Sequence, residues 1–149
     1  MSFMKLISSG LIALSVLFFV FSCGNARKMT DEVTEIPTFK LGDTVDISSK
    51  VMALCSDDLD LFIQFDSLIT DSRCPLKANC IWAGNAKVEI GVNYKKLKES
   101  IQLDTDKSMV TEKSVFGYTI KLINVMPYPG TPNSENTTKR IQICVKKDA

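Results

Sequence analysis

The cysteines of this 149-residue chain are its most reactive residue type, because the sequence contains five of them and no histidine. Cys74 and Cys80 lie in the segment DSRCPLKANCIWAGNAKVEI, residues 71–90. Structural zinc sites usually pair cysteines across two to four residues, and thioredoxin-like redox motifs have two residues between them. Five residues separate Cys74 from Cys80, so the spacing favours a disulfide that closes a loop. A thiol–disulfide redox role for this pair is the alternative.

Without histidine, the chain can hold no Ser-His-Asp triad, no Cys-His pair and no H-E-x-x-H zinc site. The remaining candidates are carboxylates, of which Asp57, Asp58 and Asp60 cluster in CSDDLD. Such aspartates can coordinate calcium, but the glycine and final glutamate of an EF-hand loop are missing, so a solvated turn is the preferred interpretation. A small carboxylate hydrolase is a weaker alternative, since paired acids need a cleft around the substrate. The sequence therefore predicts no enzyme, no catalytic residue, no cofactor and no metal.

The N-terminal segment MSFMKLISSGLIALSVLFFVFSC is typical of an export signal. Lys5 supplies a positive charge, and residues 11–21 are apolar except for Ser15, a run shorter than the roughly 20 residues of a membrane span. Val20-Phe21-Ser22-Cys23 resembles the lipobox of bacterial lipoproteins. The resemblance implies a signal peptide over residues 1–22, lipidation of Cys23 by acyl chains such as palmitate, and a membrane-anchored lipoprotein of the cell envelope, at the periplasmic face or cell surface.

Export places the chain in an oxidising compartment, where cysteines form disulfides. With Cys23 lipidated, Cys55, Cys74, Cys80 and Cys144 remain, and four cysteines allow three pairings. Adjacency favours Cys74–Cys80, which leaves a Cys55–Cys144 bond if their geometry permits it. Chain-entropy arguments assign about 2–2.5 kcal/mol to the short loop and about 4.5 kcal/mol to the long one.

Charge limits the kinds of partner. Removing residues 1–22 leaves 17 basic and 17 acidic residues, and the absence of a basic block argues against nucleic acid. Residues 23–37 are predicted to be the lipidated cysteine and a polar, flexible tether that reaches roughly 20 Å on average. The expected partners are the membrane, through the N-terminal lipid, and an envelope protein, peptide or glycan.

Residues 38–149 alternate between apolar and polar side chains, the pattern of half-buried strands. LDLFIQFDSLIT places Leu59, Leu61, Ile63 and Phe65 at a period of two. Residues 94–103 fit a short helix or a hairpin turn, and SVFGYTIKLINVM fits one strand or two divided at Gly117. Seven or eight such strands predict an all-β domain, either an antiparallel, immunoglobulin-like β-sandwich or a small barrel.

Four further residues near the cysteine loop are structural or binding candidates. Trp82 is expected to pack beneath the disulfide, and an exposed platform for sugar or peptide is the alternative. Asp71 and Arg73 are expected to form a turn or an ion pair that ties the loop to a strand end. Tyr128 belongs to the proline-rich segment PYPGTPNSENTTK, residues 127–139, which is either a cross-over or a binding surface.

Two segments carry a resemblance to known sequences. DSRCP followed by C-x-W-A-G-x-A-x-V resembles a segment shared by short bacterial lipoproteins and secreted proteins. Y-x-I-x-L-x-x-V-x-P-Y-P, from Tyr118 to Pro129, resembles a second block of the same group. The resemblance implies an exported, small β-rich domain and implies no particular activity.

Overall fold

The computed structural model describes residues 36–132 and 134–149. These residues form nine strands and no helix, so none of their segments is a helix able to cross a membrane. The strands are β1 Thr38–Phe39, β2 Thr44–Ser48, β3 Met52–Cys55, β4 Leu61–Asp71, β5 Ala86–Tyr94, β6 Leu97–Asp104, β7 Glu112–Val115, β8 Tyr118–Met126 and β9 Arg140–Lys147. The predicted signal peptide and Cys23 lie outside the described residues.

The strands build two sheets, one ordered β1-β3-β4-β5-β6 and the other β2-β9-β8-β7. All neighbouring strands are antiparallel except β1 and β3, which run parallel. The sheets do not close into a barrel, and the predicted all-β sandwich is confirmed. Strands β3 to β6 form a meander within one sheet, whereas immunoglobulin constant domains order their sheets as ABED and CFG.

The core lies between the sheets and follows the period-two pattern of the sequence. In β4, the side chains of Leu61, Ile63 and Phe65 are fully buried, as are Val88 and Ile90 in β5. These residues join inward-facing residues of the other sheet in one apolar cluster.

Leu59 does not extend this pattern as expected, because it is exposed in the turn before β4. The backbone amide of Leu61 donates to the carbonyl of Asp58, so the turn ends and the strand begins two residues later than the alternation predicts.

Two ambiguous segments are hairpins. Residues 94–103 contain the β5–β6 turn, so the hairpin interpretation is confirmed and the helix is wrong. The chain divides at Gly117 into β7 and β8, where Phe116 and Gly117 adopt φ values of 53° and 80°. Glycine accepts this left-handed conformation without steric cost, which explains why the long apolar run turns here.

Strand direction and pairing sort the loops into two ends of the sandwich. The cysteine end comprises the loops of residues 49–51, 72–85, 105–111 and, on both sides of residue 133, 127–132 and 134–139. The aspartate end comprises residues 40–43, 56–60, 95–96, 116–117 and 148–149. The predicted functional residues Asp71, Arg73, Trp82 and Tyr128 all belong to the cysteine end or the strand ends beside it.

Candidate functional site: the disulfide-closed hairpin

The β4–β5 hairpin extends beyond its last strand pair, Asp71 with Ala86. The amide of Ser72 donates to the carbonyl of Asn85 at 2.8 Å, and the amide of Cys74 donates to that of Ala83 at 2.9 Å. A disulfide then joins Cys74 to Cys80, with Cα atoms 5.9 Å apart. The predicted disulfide is therefore confirmed, and it closes the end of a long, backbone-bonded hairpin.

Gly84 allows the two arms of this hairpin to approach closely. Its φ is +72°, and a Cβ at this position would overlap the carbonyl oxygen of Ser72 and lie 2.8 Å from the Cα of Arg73. A larger residue would push the arms apart, so the glycine of the W-A-G segment is required by the backbone.

Arg73 anchors the hairpin from within. The residue is only 7% exposed, and its guanidinium forms a bidentate ion pair with Asp71, Nε to Oδ1 at 2.8 Å and Nη2 to Oδ2 at 2.6 Å. Nη1 donates to the carbonyl of Val125 at 2.6 Å, and the guanidinium carbon lies 4.7 Å from the centre of the Tyr128 ring. The expected ion pair is confirmed, and it also binds the hairpin to the end of β8.

The ionisation of Asp71 reflects this contact. Burial is the largest single influence on its pKa and raises it, since a desolvated carboxylate is disfavoured. The hydrogen bonds and positive charge of Arg73, with a smaller contribution from Lys139, together outweigh burial and hold the pKa below its usual value. Asp71 and Arg73 are thus a charged pair at neutral pH.

The proline-rich segment packs against the hairpin. The amide of Leu76 donates to the carbonyl of Pro129 at 3.1 Å. A Cβ on Gly130 would lie 3.0 Å from both the Leu76 nitrogen and the Pro75 Cβ. The Met126–Pro127 peptide bond is cis. Tyr128 and its neighbours therefore support the hairpin on one side.

Three large apolar side chains are exposed on this supported loop. Leu76 is 65% exposed, Ile81 94% and Trp82 72%; we call these three residues the apolar tip. The expectation that Trp82 packs beneath the disulfide is wrong. The hairpin arms are in direct backbone contact around Gly84, and the buried side chain of this hairpin is that of Arg73. The exposed-platform alternative describes Trp82 correctly.

The considered Cys55–Cys144 bond is also wrong, since both residues are free cysteines. Cys55 is fully buried in the core between the sheets. Cys144 lies between the buried residues Ile143 and Val145 of β9, so it faces the opposite side of its sheet from the core. The alternation around Cys144 was the available sequence signal for this arrangement.

The clustered aspartates lie at the aspartate end and serve as hydrogen-bond acceptors. Asp57 accepts from the amide of Leu41 at 2.7 Å, and Asp58 accepts from the Tyr118 hydroxyl at 2.5 Å and from the Asp60 amide at 3.1 Å. The Tyr118 hydrogen bond, followed by that of Asp60, lowers the pKa of Asp58, and the same contact raises the pKa of Tyr118 above its usual range. Among the described residues, no three acids or cysteines are grouped so that they could hold a metal ion.

Two surface depressions lie away from the hairpin. One, of about 380 Å³, lies beside β1 and β2 and includes Phe39, Asp43 and Ser56. The other, of about 280 Å³, lies on the outer face of the four-stranded sheet and includes Lys121 and Cys144. Neither brings together the residues that the sequence singled out.

The structure thus gathers Asp71, Arg73, Cys74 and Cys80 in one hairpin that Tyr128 contacts, with Trp82 exposed at its tip. Cys55 and Cys144 lie elsewhere in the sandwich. The sequence did not predict Leu76 and Ile81 as part of this site, although both flank the disulfide in the printed sequence. No protein-family model, no curated protein and no solved structure matches this chain.

Proposed function

We propose that this chain is a lipid-anchored lipoprotein of the bacterial cell envelope that acts as a non-enzymatic binding module through its apolar tip. The observation that carries the proposal is the exposure of Leu76, Ile81 and Trp82 on a loop that a disulfide, an ion pair of the buried Arg73 and a second loop hold in place. Three large apolar side chains exposed within residues 76–82 of one loop favour an interaction surface over singly scattered surface residues. Tryptophan in particular is enriched among residues that dominate binding energy.

The rigid support of the tip favours binding. A flexible loop loses conformational entropy when it binds, and pre-organisation reduces that loss. Here the backbone bonds from Ser72 to Asn85 and from Cys74 to Ala83, the disulfide and the Arg73 contacts restrict the loop before any partner arrives.

The position of the N-terminal strand is consistent with anchoring. Thr38 pairs with Leu54, which pairs with Phe62 in β4. Asp71 is nine positions beyond Phe62, a length of about 30 Å in a strand. Thr38 therefore lies about 30 Å from the end of β4 that leads into the tip, so a tether from a lipidated Cys23 would join the domain near the aspartate end.

The aspartates support a role other than catalysis. Asp57 and Asp58 accept hydrogen bonds that close turns at the aspartate end, and Asp71 is held by Arg73. Each of these acids has a structural partner, and the two groups lie at opposite ends of the sandwich.

One observation favours a second candidate function, thiol–disulfide exchange, because Cys80 is exposed at the disulfide-closed tip. This role requires that the Cys74–Cys80 bond exchange rapidly with a thiol such as glutathione. Mass spectrometry of the oxidised protein incubated with glutathione would detect the mixed disulfide. We expect slow exchange, because five residues separate the two cysteines and the C-x-x-C spacing of thioredoxin-like proteins is absent.

The anchoring half of the proposal is tested by metabolic labelling with an alkyne analogue of palmitate in producing cells. We expect label on the wild-type chain and none on Cys23→Ser, with the labelled protein in the membrane fraction. An unlabelled wild-type chain would contradict the anchor.

The binding half is tested by a photo-crosslinking amino acid placed at position 81 in intact cells. The matched control is position 97, because Leu97 is an apolar residue 57% exposed near the aspartate end. We expect discrete adducts at position 81 that disappear when Leu76 and Trp82 are replaced by serine, and none at position 97. Equal adducts at both positions, or none at position 81, would contradict a binding tip.

A further inference from the structure

We infer that the apolar tip inserts into the interfacial region of an anionic phospholipid bilayer. The inference deepens the proposed function and rests on it, because a lipidated Cys23 would keep the domain at a membrane surface. The ligand of the tip is then lipid, and the experiment below distinguishes insertion into lipid from binding of the same side chains in a protein pocket.

The side chains of the tip suit the boundary between headgroups and acyl chains. Tryptophan concentrates at that depth because its ring is apolar and its N–H can still reach water or a headgroup. Leu76 and Ile81 are further exposed apolar residues of the same loop, and Lys77 can bury its stem while its ammonium group stays among the phosphates. These side-chain types suit the headgroup level of a bilayer.

The charge of the surrounding surface has the sign that anionic lipid requires. No acidic residue occurs from Ser72 to Val88. Apart from the buried Arg73, which Asp71 neutralises, the four loops of the cysteine end contain four basic and two acidic residues, whereas the loops of the aspartate end contain three basic and five acidic ones. An anionic membrane therefore attracts the cysteine end and repels the aspartate end.

The backbone of the tip is partly satisfied within the protein. The amide of Ala78 donates to the carbonyl of Pro75 at 2.9 Å, and that of Leu76 donates to Pro129 at 3.1 Å. Pro75 has no N–H to satisfy. These bonds lower the cost of moving the loop out of bulk water, while the turn remains too irregular to enter the hydrocarbon itself. Insertion is therefore limited to the interface.

The segment between Cys23 and Thr38 is long enough for the tip to reach the bilayer that holds the acyl chains of Cys23. Residues 23–37 number fifteen, and fifteen residues span at most about 50 Å. The distance along β4 from the level of Thr38 to Asp71 is about 30 Å. A domain lying on its side can thus place lipid and tip in one bilayer, which gives two attachments instead of one.

Trp82 is the only tryptophan of the chain, so its fluorescence reports on the tip alone. The test uses the full acylated protein purified from producing cells and reconstituted into vesicles of equal parts phosphatidylcholine and phosphatidylglycerol. We expect a blue-shifted emission, a several-fold lower acrylamide quenching constant than in lipid-free buffer, and strong quenching by phospholipids brominated on their acyl chains.

Two matched variants keep Trp82 as the reporter. Leu76→Ser with Ile81→Ser should abolish quenching by brominated lipid, because the neighbouring apolar surface is lost. Lys77→Glu should reduce it several-fold in the anionic vesicles and have little effect in pure phosphatidylcholine. All three proteins should show the same far-ultraviolet circular dichroism, which keeps a folding defect from imitating the result.

Emission like that of a water-exposed indole in both vesicle types, with full acrylamide access and no quenching by brominated lipid, would overturn the inference. The proposed function would survive that result if position 81 still formed protein adducts in cells. Lipid adducts at position 81 support both statements, and the absence of any adduct together with a water-exposed Trp82 overturns both.

Discussion

The two ends of the sandwich are closed by different physical means. At the aspartate end, aromatic rings turn inward: Tyr118 is buried with its hydroxyl on Asp58, and the Tyr94 ring lies 5.7 Å from that of Tyr118 and 6.2 Å from that of Phe116. Aromatic packing of this kind stabilises an end through apolar burial and ring contacts.

At the cysteine end, the aromatic residue of the hairpin points outward and a charged residue takes the buried position. Arg73 is enclosed by Asp71, Tyr128 and the carbonyls of Val125 and Pro127, while Trp82 is exposed. The apolar tip is therefore not needed to close this end of the sandwich, since ionic contacts and a disulfide do so. The tip is therefore free to bind a partner.

The largest expected effect comes from breaking the charged anchor of the cysteine end. Arg73→Ala should lower the free energy of unfolding by about 3 kcal/mol, because it leaves the Asp71 carboxylate and the Val125 carbonyl without their buried partner. Urea denaturation followed by circular dichroism measures the change. Arg73→Lys is the control and should lose less, since it keeps the charge but not the bidentate contact. A loss below about 1 kcal/mol for the alanine variant would show that the contacts of Arg73 do not stabilise the cysteine end.

Removing the disulfide should have the next largest effect. Replacement of Cys74 and Cys80 by serine should destabilise the protein by about 2 kcal/mol, since the closed loop of seven residues no longer restricts the unfolded chain. Thermal unfolding at matched concentrations measures it. Cys144→Ser is the control, and its surface position predicts a change within about 0.5 kcal/mol. Equal effects of the two replacements would show that the bond does not constrain the hairpin.

The hydroxyl of Tyr118 should determine the ionisation of Asp58 at the aspartate end. The folded-state pKa of Asp58 is lowered chiefly by the Tyr118 hydrogen bond. The stabilisation from this group is therefore complete above its unfolded pKa of about 3.9 and is lost as the pH falls through the lower folded value. Tyr118→Phe should raise the Asp58 pKa toward its usual value, which carboxyl titration by NMR would detect.

The control for this titration is Asp106, whose pKa is lowered by the amide and hydroxyl of Ser108 in a loop of the cysteine end. Its titration should not respond to Tyr118→Phe. An unchanged Asp58 in the variant would mean that the hydroxyl does not determine its ionisation.

The smallest expected effect is that of the tip itself on stability. Replacing Leu76, Ile81 and Trp82 together by serine should change the free energy of unfolding by no more than about 0.5 kcal/mol, because all three side chains are already in water. Ile90→Ala, in the core, should instead cost about 3 kcal/mol. A loss of about 2 kcal/mol in the triple variant would show that the tip packs against the domain and would remove the contrast between the ends.

The sequence predicts the local parts of this structure well. The alternation that marks a strand involves only residues close in sequence, such as Leu61, Ile63 and Phe65. The sharp turn at Gly117 depends on the backbone freedom of a single residue. The Cys74–Cys80 bond also needs no distant information, because the two residues are close in any compact loop.

The long-range parts could not be predicted in the same way. The contacts of Arg73 with Val125 and Tyr128 span more than fifty residues and depend on how β8 ends beside the hairpin. The strand register of Val88 and Ile90 after Trp82 favours packing of its ring, whereas the ring is exposed on a hairpin whose arms meet closely at Gly84. An even number of cysteines allows a Cys55–Cys144 bond, whereas the placement of these two residues depends on which face of a strand each one occupies.

The fluorescence of Trp82 in the soluble, unliganded protein tests the exposure and the rigidity of the tip on one sample. We expect emission typical of indole in water, near-complete quenching by acrylamide, and an anisotropy that decays only with rotation of the whole domain while the disulfide is intact. A blue-shifted, acrylamide-resistant emission would show a buried ring. A fast, large-amplitude anisotropy decay would show a loose tip, and either result would contradict a pre-organised binding surface.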